Sequence, residues 1–417
     1  MEEWILHIDG DGFFAYCEIA RFPHLKGKPV VVGEDRGIVC ASTYEAKRLG
    51  ITRAMPIFKV REQFPQVTIL SSHFELYEQY AQKLAALLEP EVDVLERYSI
   101  DECFGLISFP ADTDREALHA WLQTLKTRIQ AAIGLTYSFG LAKTKVLAKV
   151  ASKRQKPDGC TVLMPEDVPT VLAETPIESI WGIGWKLSRR LQNMHIRTAA
   201  EFSRWSEAKV ATFFSLPVQE LWHELAGRRM FSVHDSHDLP KSLQSTKSFT
   251  PTSADRSFVI AELLQNTDIA FSRLREQGLA AGAAYIFLKT KERKYHSTAV
   301  QFNRYTDNVL DIANQIQLAA ESLFQRGVLY RSTGITLWNL REKTAVQLDL
   351  FGEQQQVEEK SAVMIALDRI RTRYGQGSIG ILGAMASAVN RSKKREAMSR
   401  KERYVHGLPL PYLGEVE

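Results

Sequence analysis

The apolar residues of this chain change period repeatedly over residues 1–165. Short continuous apolar runs, which read as buried strands, alternate with stretches at helical spacing. Trp4-Ile5-Leu6-His7-Ile8 is the first run; Ile5–Ile8 predicts a strand, and a helix is expected to begin near Gly12–Phe14. Val30-Val31-Val32 and Ile38-Val39-Cys40 flank Gly33-Glu34-Asp35-Arg36-Gly37 and predict a hairpin. Thr43 to Leu49 predicts a helix that closes at Gly50. Val92–Tyr98 and Cys103–Ile107 predict two strands. Arg115 to Ala132 predicts an amphipathic helix with Leu118, Trp121, Leu122, Leu125 and Ile129 on one side. Tyr137–Leu141 reads as a strand, and Thr144–Ser152 starts the next helix.

Residues 166–230 carry helical spacing only. Between two of these helices lies Ile180-Trp181-Gly182-Ile183-Gly184-Trp185-Lys186. A Gly-x-Gly turn can direct backbone N–H groups at a phosphate, as in helix-hairpin-helix units; a plain helix–helix turn explains the segment equally well. A linker is expected at 233–241, clearest over His237–Lys241. A new pattern follows: strand Ser242–Phe249, helix Phe258–Glu276, strands Ala284–Lys291 and Tyr295–Phe302, helix Val309–Phe324, strand Ser332–Leu340. That order is the β-α-β-β-α-β arrangement of a ferredoxin-like sandwich. Beyond Arg341 the chain turns polar, with a helical stretch at Val363–Tyr374 and a basic run, Arg391-Ser392-Lys393-Lys394-Arg395.

At 417 residues the chain is too long for one simple core. Its 45% hydrophobic and 24% charged residues mark an ordinary globular protein. A net charge of +4 does not by itself argue for nucleic acid. The four cysteines, Cys17, Cys40, Cys103 and Cys160, lack CxxC spacing and fit reduced thiols better than a disulfide frame or a zinc site. Neither a signal peptide nor a membrane-spanning run is legible, so a cytoplasmic protein without membrane contact is expected.

Three carboxylates change the picture. Asp9, in Ile8-Asp9-Gly10-Asp11-Gly12-Phe13-Phe14-Ala15, follows the first strand, and Asp101-Glu102 lies between two more. Carboxylates at the ends of apolar strands cost stability unless a cation meets them. Hard oxygen ligands suit Mg²⁺ and two-metal phosphoryl chemistry. A calcium loop starting at Asp9 fails, because Phe14 and Ala20 stand where Gly and Glu are required. Adjacent strand residues point to opposite faces, so Asp101 and Glu102 can share a cluster only where the backbone bends. Lys145, Lys149, Lys153, Arg154 and Lys156 would form a solvated helix face if taken alone. Beside carboxylates they read as cations for phosphate oxygens.

Asp9–Glu18, Ala41-Ser42-Thr43-Tyr44-Glu45-Ala46-Lys47, Ser99-Ile100-Asp101-Glu102 and Ser138–Gly159 resemble, in order and separation, the signature blocks of Y-family translesion DNA polymerases. The resemblance spans roughly residues 1–350, and Thr43–Lys47 is similar to the UmuC side of the family. It implies an α+β right-hand polymerase: a ferredoxin-like palm at 1–12 and 70–165, small fingers at 13–69, a helical thumb at 166–232, a little finger at 242–342, and a tail at 343–417. Asp9, Asp101 and Glu102 would be the catalytic residues, holding two Mg²⁺ ions with the Gly10 carbonyl. Phe13 and Phe14 would lie under the incoming deoxynucleoside triphosphate. Core packing suffices for Phe13, whereas Phe14 matches the steric gate against a 2′-hydroxyl. Thr43, Tyr44, Lys47 and Lys156 match triphosphate contacts, with Lys47 replacing an arginine of many relatives and losing its bidentate grip. Asp11 matches a family carboxylate outside the metal shell.

The resemblance also implies partners. Primer–template DNA would meet Gly182, Gly184 and Lys186 in the thumb and Lys247, Lys289, Lys291 and Arg293 in the little finger, through phosphates and without sequence preference. Lys241 and Lys294 would add positive charge there. The basic run Arg391–Arg395 either adds to this grip or is a solvated end. Gln347-Leu348-Asp349-Leu350-Phe351 resembles the pentapeptide by which bacterial polymerases dock on the sliding clamp: Leu348, Leu350 and Phe351 as anchors, Gln347 at the rim. A low-fidelity, monomeric, clamp-tethered enzyme of translesion synthesis is therefore expected. Whether a RecA-type or UmuD-like factor is needed stays open. A non-catalytic scaffold would have no use for buried carboxylates, and a palm-fold cyclase should lack the Gly-Ile-Gly segment and the Gln347–Phe351 tail.

Overall fold

The N-terminal apolar run becomes β1 (Glu2–Gly10), the middle strand of a five-stranded sheet. The computed structural model describes residues 1–235, 239–343 and 354–374, in two units that divide between residues 237 and 238. In the first unit, α1 (Phe13–Arg21) leads to a small sheet of β2 (Val30–Val32), β3 (Ala41–Ser42) and β4 (Thr68–Leu70), with α2 (Tyr44–Arg48) and α3 (Ile57–Gln63) beside it. Next come α4 (Phe74–Leu88), β5 (Val94–Arg97), β6 (Glu102–Phe109), α5 (Arg115–Ile133), β7 (Tyr137–Ala142), α6 (Lys145–Arg154) and β8 (Cys160–Val162). The large sheet runs β5-β6-β1-β7-β8, with β1 antiparallel to both neighbours.

Both faces of β1 are covered, and alternation decides what each face meets. Trp4, Leu6 and Ile8 enter a core built with Leu76, Leu84, Leu118 and Leu122 of α4 and α5. Ile5 enters a second core with Val146 and Leu147 of α6. That second core continues into α7 (Val168–Glu174), α8 (Trp185–Asn193), α9 (Ala199–Ser203), α10 (Glu207–Phe213) and α11 (Leu216–Leu225). The partner of Val30–Val32 is Ala41–Ser42, not Ile38–Cys40; Ile38 makes only an isolated bridge to Pro56, and Val39 packs into the small core with Val31 and Ile57.

The second unit comprises β9 (Ser242–Ser253), α12 (Arg256–Glu276), β10 (Leu279–Thr290), β11 (Tyr295–Thr306), α13 (Ala313–Leu323), β12 (Tyr330–Glu342) and α14 (Gln354–Tyr374). The element order is the expected one. The antiparallel sheet runs β11-β10-β12-β9, so each helical crossover joins two parallel strands separated by a third. Ile286, Leu288, Ile335 and Leu337 pack against Leu263, Phe271 and Ile316 of α12 and α13. Met364 of α14 joins this core, and Arg371 forms a buried bidentate ion pair with Asp268 of α12 (3.1 and 2.5 Å).

Candidate active site

The β1–β6 register sets Asp9 directly opposite Glu102. The bend demanded at Asp101-Glu102 is the β5–β6 turn, where the Glu102 carbonyl accepts from the amides of Tyr98 and Ser99. Asp101 lies in that turn and Glu102 is the first residue of β6. The Asp101 carbonyl accepts from the Gly10 amide (2.9 Å), and its carboxylate accepts from the Ser99 hydroxyl (2.7 Å).

Gly140 brings α6 onto this sheet. A Cβ there would lie 2.3 Å from both the Ala148 carbonyl oxygen and the Ser152 amide nitrogen, so only glycine permits the helix to rest on β7. Two lysines of α6, Lys145 and Lys149, consequently turn inward. Lys149 donates to Glu102 (2.8 Å) and Lys145 to Glu96 (2.5 Å), both from buried positions. Lys156, just past the helix, donates to Asp9 (2.5 Å). Burial, with Asp9 beside it, lifts Glu102 above the usual carboxylate range against the opposing pull of Lys149.

Two residues not assigned to the site from sequence help build it. His7 lies two residues before Asp9 on the same strand face, and one of its ring nitrogens lies within 4.8 Å of ligand oxygens of Asp9 and Glu102. Its Nδ1 is 2.7 Å from the Ser152 hydroxyl, while Nε2 is buried and has no hydrogen-bond partner among the described residues. Burial, then the charges of Lys149, Lys156 and Lys153, push its pKa well below the ordinary value, so the imidazole is neutral. Asp11 is buried and accepts from Ser138 (2.8 Å), the Asp158 amide (2.7 Å) and Tyr44 (3.4 Å). It thereby anchors the loop that carries Lys156. Polarity repeated at His7 and Asp9 within an apolar run is the available signal for the first; the second is marked only by the resemblance, which sets it outside the metal shell.

The two carboxylates suit a hard divalent cation, which would take the place of the ammonium groups that now meet them; the neutral imidazole of His7 lies beside them and is not a donor such a cation favours. At the start of α1, Gly12 adopts φ 61° and a Cβ there would meet the Ser42 carbonyl at 2.9 Å, which accounts for a glycine at this turn. Phe13 points into the core beside Tyr77 and Tyr137. Phe14 is half-buried and stacks on Tyr77, with centroids 4.4 Å apart and planes at 11°. Lys47 lies 4.0 Å over the Tyr44 ring, its pKa lowered by burial and by Lys156. Thr43 differs from the expectation of a phosphate contact. Its hydroxyl is 0% exposed and caps α2, accepting from the Ala46 and Val30 amides and donating to the Lys28 carbonyl.

Residues 8–153 match the model of the impB/mucB/samB family, residues 240–350 that of its C-terminal domain, and residues 165–196 that of its HHH motif. A DNA polymerase IV of Legionella pneumophila (strain Philadelphia 1) is 30% identical over 363 residues, covering 83% of this chain and 98% of that one. The chain belongs to the Y family of DNA polymerases. Another DNA polymerase IV, from Pelotomaculum thermopropionicum, is 30% identical over 388 residues, 90% of this chain and 94% of its own. The fold of this Y-family chain is that of a solved Y-family chimera of Dbh and Dpo4 (TM-score 0.71) and of DinB from Sulfolobus solfataricus (0.56). Each is 22% identical over 81% of this chain and 99% of its own.

The nucleic-acid residues expected of a Y-family member fall in both units. Gly182 has φ 90°, Gly184 precedes α8, and Lys186 is exposed on that helix beside Trp185 and Arg189. Lys291 and Arg293 are exposed in the β10–β11 turn, and Lys289 donates to the Tyr295 hydroxyl (2.7 Å). Lys247 is the exception. It shares the helix-covered face of β9 with buried Ser245 and Phe249 and pairs with Glu262 of α12 (3.0 Å). Gln347, Leu348, Leu350 and Phe351, like Arg391–Arg395, lie outside the described residues. Among the described residues no helix is long and apolar enough to cross a membrane.

Proposed function

We propose that this chain is a DNA-directed DNA polymerase that extends a primer across damaged template by two-metal nucleotidyl transfer, tethered to the sliding clamp. The observation that carries the reading is the Asp9–Glu102 pair, set side by side by strand register and met by Lys156 and Lys149. Two Mg²⁺ ions held by Asp9, Asp101, Glu102 and the Gly10 carbonyl would supply Lewis-acid activation of the primer 3′-hydroxyl and charge relief on the leaving group.

The chain's own residues do the rest. Lys156, Tyr44 and Lys47 would hold the triphosphate, Lys47 and Lys156 lying near enough for each to feel the other's charge. The ring of Phe14, stacked on Tyr77, would exclude a 2′-hydroxyl from the nucleotide site. Gly182, Gly184, Lys186, Lys289, Lys291 and Arg293 hold duplex through its phosphates. The proposed domain limits are those of a palm at 1–12 and 70–165, fingers at 13–69, a thumb at 166–232 and a little finger at 242–342.

Primer extension by wild type and by Asp101→Ala/Glu102→Ala tests the assignment. The double variant should lose roughly a thousandfold in rate, the equivalent of several kcal/mol of charge stabilisation, while duplex binding persists. Wild-type protein that binds duplex but never extends it would point to a scaffold instead.

A further inference from the structure

The gate residue is not held by core packing alone. Phe14 lies against α4, stacked on Tyr77 and edge-on to Phe74 at 5.5 Å. The Tyr77 ring is buried, and its hydroxyl donates to Glu18 Oε1 at 2.6 Å. Glu18 is 0% exposed and sits one turn beyond Phe14 on the same face of α1. His73 Nδ1, at the start of α4, lies 2.8 Å from the same oxygen, and Arg21 donates to Oε2 at 3.0 Å. A buried carboxylate is tolerated only with its charge met and its lone pairs filled, and both conditions hold here. The carboxylate fixes the Tyr77 hydroxyl, the hydroxyl fixes the ring plane, and the ring plane fixes Phe14. None of these partners touches the metal carboxylates.

We infer that Glu18, through Tyr77, is a positioning residue for sugar selection, holding the Phe14 ring where it excludes a 2′-hydroxyl. The inference rests on the reading of Phe14 as the gate. Removal of Glu18's charge or of the Tyr77 hydroxyl lets the stacked pair tilt. The gate then leaks ribonucleotides while the metal site remains intact.

The test is single-nucleotide insertion of deoxy- and ribonucleotides by wild type, Phe14→Ala, Glu18→Gln, Tyr77→Phe and Phe14→Ala/Glu18→Gln. Glu18→Gln should raise the ribo-to-deoxy ratio of kcat/KM by about tenfold, part of the roughly hundredfold by which an apolar pocket rejects an added hydroxyl. Tyr77→Phe, which keeps the ring, should move the ratio the same way. In each, deoxynucleotide insertion should fall by a smaller factor. The double variant should match Phe14→Ala, because a residue acting through Phe14 adds nothing once that ring is gone. An unchanged ratio in Phe14→Ala removes the gate reading itself. A leaky Phe14→Ala beside unchanged Glu18→Gln and Tyr77→Phe overturns the role of Glu18 and leaves the gate standing. If Glu18→Gln does not fold, Tyr77→Phe decides alone.

Discussion

At the scale of single residues, burial separates side chains that look alike in sequence. Asp9 and Glu102 were legible because carboxylates at strand ends demand cations, and Lys149 and Lys156 answer that demand. Asp11, Glu18 and His7 are equally polar letters, but nothing in the sequence says that their partners come from Ser138, Tyr77 and Ser152. The letter Thr43 suits a helix cap as well as a phosphate ligand, because both use the same hydroxyl. Phe249, two residues on, marks the face of β9 that Lys247 shares as the one toward α12. The cysteines give a prediction at this scale. Burial pushes the Cys160 thiol up to about 11 and Cys103 up to about 12, so neither forms thiolate readily. Because the folded values exceed the unfolded ones, any stability these thiols contribute is complete below the ordinary thiol range and is lost as pH rises through 11 to 12. Iodoacetamide at about pH 8 should label both roughly a hundredfold more slowly in native than in urea-unfolded protein, read by mass spectrometry; equal rates would refute the burial argument.

At the scale of elements, period and caps carried most of the information. The strands and helices of the second unit fall in the expected order, but β9 to β12 run beyond their apolar stretches, because ladder hydrogen bonds continue through exposed polar ends. Ile38–Cys40 was misread because β-branched residues suit a strand only where a partner lies alongside, and here Val32 pairs with Ala41. Helical spacing at Val363–Tyr374 was legible, whereas its docking was not. That docking turns on Arg371 meeting Asp268, 103 residues earlier in the chain. Arg371→Ala should cost about 3 kcal/mol, because it strands a buried carboxylate, whereas Asp268→Ala/Arg371→Ala should cost less. Urea denaturation of the full chain checks this; equal losses would mean that the pair contributes packing and no charge compensation.

For the whole molecule, the sequence carried the assignment further than the described residues do. Gln347–Phe351 stands between β12 and α14 in the chain, so the proposed clamp contact is flanked on both sides by elements of the second unit. Leu350→Ala/Phe351→Ala should weaken clamp binding at least thirtyfold, about 2 kcal/mol, without slowing clamp-free primer extension. Calorimetry that finds undiminished affinity would dismiss the motif. The lysine pairs at Asp9 and Glu102 bear on how such an enzyme is kept. Each carboxylate meets an ammonium within the chain, so the native state forms without charge drawn from the medium. A cation entering this pair has to displace Lys149 and Lys156, so occupancy of the site is a competition between the protein's own ammonium groups and the incoming ion.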